Sequence, residues 1–235
     1  MAKKKPRQAL QSVARKLVTN ANPSSVISEQ FRTLRTNISF SSSDKEIRSL
    51  VFTSGSPGEG KSTVAANAAV VFAQEGKRVL LVDADMRKPT VHYTFHMTNT
   101  TGLSNLLTRQ AALEDVVKVS DQDNLNIITC GPIPPNPSEL LGSRTMDAVL
   151  MEMLRAFDVV IFDAPPVLAV TDAQIMANKA DGTILVLNTA KTEKDAVEKS
   201  KELLEKSNAN VLGVVMNNYT YENDVYYYQY YGNEE

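Results

Sequence analysis

An α/β fold, a mostly parallel sheet flanked by helices on both faces, is predicted by three features of this 235-residue chain. Short, continuously apolar runs recur, each bounded by Gly, Pro, Asn or Asp, as expected of strands buried on both sides. Stretches of helical composition and spacing separate them. A glycine-rich segment sits where one such strand gives way to a helix. In chain order, strands are predicted at residues 49–54, 78–83, 125–129, 158–163, 183–187 and 211–216. Helices are predicted at residues 62–75, 138–155, 171–179 and 193–207, and strand–helix repetition of this kind builds parallel sheets. Residues 131–137, Gly-Pro-Ile-Pro-Pro-Asn-Pro, cannot be helix or central strand, so a stiff loop is expected there. The expected organisation is a basic flexible arm over residues 1–27, a globular domain over 28–218 and an acidic tail over 219–235.

Composition excludes several classes of function. Hydrophobic residues at 43% and charged residues at 22% are ordinary for a soluble domain. A formal charge of −2 carries no nucleic-acid footprint. The single Cys130 rules out a disulfide framework and a multi-thiolate zinc site, and it suits a reducing cytoplasm. The longest apolar run lies around residues 64–73, far short of the roughly 18 residues that span a bilayer. No apolar segment follows the basic N-terminus, so no secretory signal is expected. The near-neutral total conceals two ends of opposite sign. Residues 1–20 hold six Lys and Arg and no acid, whereas residues 219–235 hold four acids, no base and seven of the eight tyrosines.

Residues 55–62, Gly-Ser-Pro-Gly-Glu-Gly-Lys-Ser, satisfy every fixed position of the phosphate-binding pattern G-x-x-x-x-G-K-[ST], between a predicted strand and a predicted helix. Glycines let backbone N–H groups curl around phosphate oxygens, and the helix N-terminus adds its dipole. Lys61 is placed to reach the β- and γ-phosphates and the Ser62 hydroxyl to ligand Mg²⁺. A second element is the apolar strand that ends in Asp163, where P-loop proteins carry an acid serving Mg²⁺. The third is Asp83-Ala-Asp85-Met-Arg87, in which two carboxylates two residues apart share one face of an extended strand end. Such a pair is costly unless a cation lies between its members. In this position one acid could serve Mg²⁺ while the other accepts a proton; the plainer alternative is a pair of solvated loop acids neutralised by Arg87 and Lys88.

In this order the three motifs resemble those of the bacterial tyrosine kinases, P-loop enzymes unrelated to the eukaryotic protein kinases. The resemblance runs over about residues 25–235 and includes Glu29-x-x-Arg32-x-x-Arg35, residues 131–141 and the C-terminal tyrosine cluster. It implies a P-loop NTPase fold of the deviant-Walker type with ATP and Mg²⁺ as cofactors. Gly55, Ser56, Pro57, Gly58, Glu59, Gly60, Lys61, Ser62 and Thr63 would form the nucleotide cradle, and Ser62, Asp83, Asp85 and Asp163 the metal side. Lys61, Asp83 and Asp85 would be catalytic, with Asp83 as the proton acceptor. Septum-site and partition ATPases are related by fold, but they carry a lysine directly after the first P-loop glycine, where this chain has Ser56. The nitrogenase iron protein needs two cysteines per subunit, which one Cys130 cannot supply.

Tyr226, Tyr227, Tyr228, Tyr230 and Tyr231 show neither a strand nor a helix period and read as phosphate acceptors, whereas Tyr219 and Tyr221 are compatible with packing. Seventeen extended residues reach at most about 56–61 Å, enough to meet the chain's own site or a neighbour's. Glu29, Arg32 and Arg35 recur every three residues beside an apolar stripe of Phe31, Leu34 and Ile38, as on an amphipathic helix. By resemblance they are the contact motif of a ring-like homo-oligomer; as a pattern they equally describe a surface helix. Asn217 and Asn218 end a strand where relatives of this fold read the purine. His92, His96 and Cys130 lack partners at ligand or triad spacing and are expected to be structural.

The resemblance further implies a cytoplasmic protein-tyrosine kinase recruited to the inner face of the plasma membrane by the cytoplasmic segment of a membrane adaptor. Its partners would be other copies of itself, protein substrates and a cognate tyrosine phosphatase, with no nucleic acid. Its role would be control of capsular or extracellular polysaccharide synthesis and export. A partition-type ATPase switch and a non-catalytic nucleotide-dependent assembly module are the alternatives.

Overall fold

The computed structural model describes residues 16–41 and 46–219. Its elements in chain order are α1 (Val18–Ala21), α2 (Val26–Phe40), β1 (Ser49–Ser54), α3 (Lys61–Gln74), β2 (Val79–Asp83), α4 (Val91–Thr94), α5 (Leu103–Leu107), α6 (Leu113–Val116), β3 (Lys118–Val119), β4 (Leu125–Ile128), α7 (Pro137–Gly142), α8 (Arg144–Ala156), β5 (Val159–Asp163), α9 (Asp172–Lys179), β6 (Gly182–Asn188), α10 (Lys194–Lys206) and β7 (Val211–Asn217). The strands form one sheet in the order β3-β4-β2-β5-β1-β6-β7. Every neighbouring pair is parallel except β3–β4. The expected α/β architecture is therefore observed, with an antiparallel edge. That edge strand is two residues long, too short to leave any periodicity in the sequence.

Strands β1, β2 and β5 are buried at every position, which explains their unbroken apolar runs. On one face lies α3, whose buried residues surround the helix and include five alanines between Ala65 and Ala73. Small side chains let this helix sit close against the sheet. On the other face α8, α9 and α10 contribute Met146, Met153, Met176 and Leu204 to a second core layer. The segment expected as one helix over residues 138–155 is two. Ser143 takes an extended conformation between them, and its Oγ accepts from the Met146 N–H at 3.2 Å, capping α8.

The expected arm boundary at residue 28 also moves. Asn67, fully buried in α3, accepts at Oδ1 from the Thr19 N–H (3.1 Å) and the Thr19 hydroxyl (2.9 Å). Its Nδ2 donates to the Lys16 and Thr63 carbonyls, both at 2.9 Å. A buried amide needs partners, and the chain upstream of α2 supplies them, so residues 16–22 belong to the folded body. Residues 1–15 lie outside the described part. No helix among the described residues is long and apolar enough to cross a membrane.

Parallel register sets the site. Asp83 and Asp163 are direct partners at the C-terminal ends of β2 and β5, and Phe52 of β1 is opposite Asp163. The P-loop leaves from the end of β1, so the glycine-rich turn and both acidic strand ends open on one edge of the sheet. Replacing Asn67 with Ala should lower the unfolding free energy by about 2–3 kcal/mol, because buried Thr19 groups lose their acceptor. Urea denaturation checks this, and limited proteolysis should show residues 16–25 becoming cleavable.

Candidate active site

Gly55–Thr63 carry the chain from β1 into the first turn of α3, and Gly60 has φ +99° in the left-handed region. A Cβ added there would lie 2.0 Å from the Asn217 amide nitrogen, so a side chain at this position would displace Asn217 as well as strain the backbone. Asn217 Nδ2 donates to the Glu59 carbonyl at 3.0 Å. The Glu59 side chain is itself buried: one carboxylate oxygen accepts from the Ser56 N–H at 2.9 Å and the other from the Thr192 hydroxyl at 2.5 Å. Ser54 Oγ donates to the Ser56 carbonyl at 2.9 Å. These bonds hold the loop in its curled form. Thr192 stands 133 residues from Glu59 and has no motif of its own, so the sequence carries no signal for this brace.

Pro57, Gly58, Gly60, Lys61, Ser62 and Thr63 line one wall of a cavity of about 630 Å³. Asp85, Arg87, Lys88, Thr90, Pro165 and Pro166 are among the residues lining the rest, and Asn217 and Asn218 also border it. Lys61 Nζ lies 3.0 Å from Asp85 Oδ2, 3.0 Å from Asp163 Oδ1 and 3.3 Å from Ser62 Oγ. Burial lowers the proton affinity of this ammonium, but the charges of Asp163 and Asp85 outweigh it and hold its pKa above the ordinary lysine value.

Asp83 and Asp85 do not act as a matched pair on one face. Asp83 turns behind the cavity wall, where Oδ2 accepts from the Thr90 and Val91 N–H groups at 3.0 Å each and Oδ1 from the Asp85 N–H at 3.3 Å. Burial pushes its carboxyl up to about 8, and the charge of Asp163 adds to the effect. Asp85 faces Lys61 with one oxygen and accepts from the Lys88 N–H at 3.0 Å with the other. The chain bends between the two because β2 ends at Asp83. Neutralisation by Arg87 and Lys88 is not observed either. Arg87 forks onto the fully buried Asp172 at 2.9 and 3.0 Å, and Lys61 is the cation that Asp85 meets.

Asp163 Oδ2 is buried without a hydrogen-bond partner, an acceptor left over beside the Lys61 ammonium that the other carboxylate oxygen meets. Ser62, Asp85 and Asp163 offer only hard oxygen donors, which fits Mg²⁺, whereas Asp83, expected with them on the metal side, has both oxygens taken by backbone N–H groups behind the wall. Among the described residues no cluster of three His, Cys, Asp or Glu could hold a metal on its own.

The remaining candidates separate. Glu29 and Arg32 form an ion pair on α2, and Arg32 also donates to the Pro23 carbonyl at 2.8 Å. Arg35 turns inward instead, donating to the Val71 carbonyl at 2.9 Å, with its Nε 3.7 Å from Glu75. The three-residue spacing does not bring all three charges to an outer face, because Arg35 serves the C-terminal turn of α3. Cys130 is buried, and its thiol is pushed up to about 12 by burial. Neither it, His92 nor His96 borders the cavity. Tyr226, Tyr227, Tyr228, Tyr230 and Tyr231 lie outside the described residues. Tyr219, where the described part ends, borders a groove with Phe31, Leu34 and Met216 that shares Asn217 and Asn218 with the main cavity.

The chain matches the AAA_31 family, an AAA domain, over residues 47–212. It is 52% identical over 203 residues to the tyrosine-protein kinase YwqD of Bacillus subtilis, covering 86% of each chain. With the putative tyrosine-protein kinase CapB of Staphylococcus aureus it shares 43% identity over 234 residues, the full length of both. Among solved structures, the chimerical protein CapA2B2 superposes with a TM-score of 0.85 at 44% identity, covering 88% of this chain and 93% of that one.

Replacing Lys61 with Met leaves Asp85 and Asp163 buried together without their cation. The variant should lose about 3–5 kcal/mol of stability. Adding Asp85→Asn should restore part of that loss in a double-mutant cycle read by urea denaturation.

Proposed function

The chain belongs to the bacterial tyrosine-protein kinases, and from that premise we propose that it transfers the γ-phosphoryl group of ATP to tyrosine hydroxyls, its own C-terminal cluster included. The observation that carries this reading is the Lys61 ammonium, held 3.0 Å from both Asp85 and Asp163 in the cavity that the P-loop lines. A lysine so placed exchanges its carboxylates for β- and γ-phosphate oxygens, and that exchange frees the acids. The braced loop presents its N–H groups to the phosphates without having to fold around them first.

A tyrosine phenol has a pKa near 10 and keeps its proton at neutral pH, so an acceptor is needed as the phosphoryl group arrives. A bond forms between the phenolic oxygen and the γ-phosphorus. The bond from that phosphorus to the β–γ bridging oxygen breaks, and ADP leaves with the electron pair. The phenolic proton passes to Asp85, which borders the cavity; Asp83, expected as the acceptor, is buried behind the wall with both oxygens taken by backbone N–H groups, out of reach of the phenol. Ser62, Asp85 and Asp163 would hold Mg²⁺, which supplies positive charge against the phosphate oxygens.

The same reading makes Tyr226, Tyr227, Tyr228, Tyr230 and Tyr231 the acceptors, presented to neighbouring sites by a ring in which Glu29 and Arg32 make the subunit contact and Arg35 positions their helix. It makes the chain cytoplasmic, drawn to the inner face of the plasma membrane by the cytoplasmic segment of a membrane adaptor, with the six basic residues of positions 1–20 adding weak attraction to anionic lipid. A tyrosine phosphatase would reverse the modification, and the cycle would regulate capsular or extracellular polysaccharide export.

Incubating the full chain with γ-labelled ATP, Mg²⁺ and the adaptor's cytoplasmic segment tests the reading. Label on the tail tyrosines is expected; free phosphate alone would mean an ATPase switch, and no turnover an assembly module. Asp85→Asn should abolish phosphotyrosine with nucleotide binding intact, and undiminished labelling in that variant would overturn proton acceptance there. Five phosphates add about −7 to −10 charge to the tail. Changing those five tyrosines to Glu should therefore weaken self-assembly in analytical ultracentrifugation.

A further inference from the structure

The cavity carries cations on two separate walls. Lys61 stands on the P-loop wall, whereas Arg87 and Lys88 stand on the wall built by the loop after β2. Arg87 is fixed there, because Nε and Nη2 fork onto Asp172, a carboxylate with no solvent exposure. Two of the five guanidinium donors are spent on that fork and three are left over. Lys88 is exposed and has no ion-pair partner among the described residues. Pro165 and Pro166, both buried at the end of β5, add an apolar surface to the same cavity. Cations beside prolines are suited to a flat aromatic ring carried by an acidic peptide.

Resting on the kinase reading, we propose that Arg87 and Lys88 form the acceptor subsite and select tyrosines preceded by acids, with Pro165 and Pro166 receiving the ring. The chain's own tail has this chemistry. Asp224 and Glu222 stand two and four residues before Tyr226, and residues 219–235 contain no base. In an extended peptide, side chains two and four residues apart point to the same face. A strand that presents Tyr226 to the γ-phosphate therefore presents both carboxylates along the same wall. The other four tyrosines of the cluster have no acid two residues before them, so Tyr226 is the preferred first acceptor.

The test uses a peptide of residues 219–231 with Tyr226 as its only tyrosine, and a second peptide in which Glu222 and Asp224 are replaced by Lys. Anisotropy of the fluorescein-labelled peptides on the full chain with Mg²⁺ and ADP reads binding; phosphotyrosine formation with ATP and the adaptor segment reads catalysis. The acidic peptide should bind about tenfold more tightly and show a correspondingly lower KM at similar kcat. Lys88→Gln should reduce that preference, and Lys88→Glu should reduce it further than Lys88→Gln does. Lys194→Glu, a charge reversal on the exposed face of α10, should leave the preference as it is. Equal binding of the two peptides, or an unchanged ratio in Lys88→Glu, overturns the subsite. Absence of phosphotyrosine with the peptide preference intact overturns the kinase reading instead, so the two failures are distinct.

Discussion

Everything at the active edge of the sheet depends on one lysine between two acids. Parallel pairing of β2 with β5 forces Asp83 and Asp163 side by side, and the turn after β2 brings Asp85 to the same cavity. Three carboxylates so close repel unless a cation lies among them. Lys61 is that cation, delivered by the first residue of a helix whose position is fixed by close alanine packing. A contact at 3.0 Å is worth about 5 kcal/mol in a medium of effective dielectric near 20, while each buried ion gives up several kcal/mol of hydration. Attraction and desolvation nearly cancel. The cluster is therefore poor at stabilising the fold and well suited to an exchange in which phosphates take the lysine and a cation takes the acids.

The phosphate cradle follows a different logic, since rigidity there has to come from outside it. Its left-handed Gly60 and the turn around it are held by Glu59 within the loop, by Thr192 from the segment after β6 and by Asn217 at the end of β7. A buried glutamate in an anion-binding loop looks misplaced until its hydrogen bonds are counted. It satisfies the Ser56 N–H and the Thr192 hydroxyl, leaving other donors for phosphate. Asn217, expected at the purine, is committed through one amide hydrogen to the loop carbonyl, and it borders the cavity as a clamp.

Charge is distributed along the chain in the same sense as its chemistry. The body carries a compensated cluster, the cavity rim carries two cations, and the C-terminal segment carries acids and seven tyrosines. Each phosphate added to a tyrosine makes that segment more like the nucleotide's own phosphates and less compatible with the acids of the site.

Much of this was legible before folding. Residues 55–62 determined a phosphate site because each fixed position has a local mechanical reason, and the apolar runs ending at Asp83 and Asp163 determined which acids would accompany it. Alternation of strands and helices determined the sheet. Tertiary structure decided the partnerships: Lys61 rather than Arg87 neutralises Asp85, Arg87 belongs to Asp172, Arg35 turns into α3, and Asp83 withdraws behind the wall. It also decided that residues 16–22 fold, because only packing reveals that Asn67 needs them. Local motifs are short-range geometry and so are written in order along the chain. Which side chain meets which is a question of distance across 85 or 133 residues, and only the closed sheet answers it.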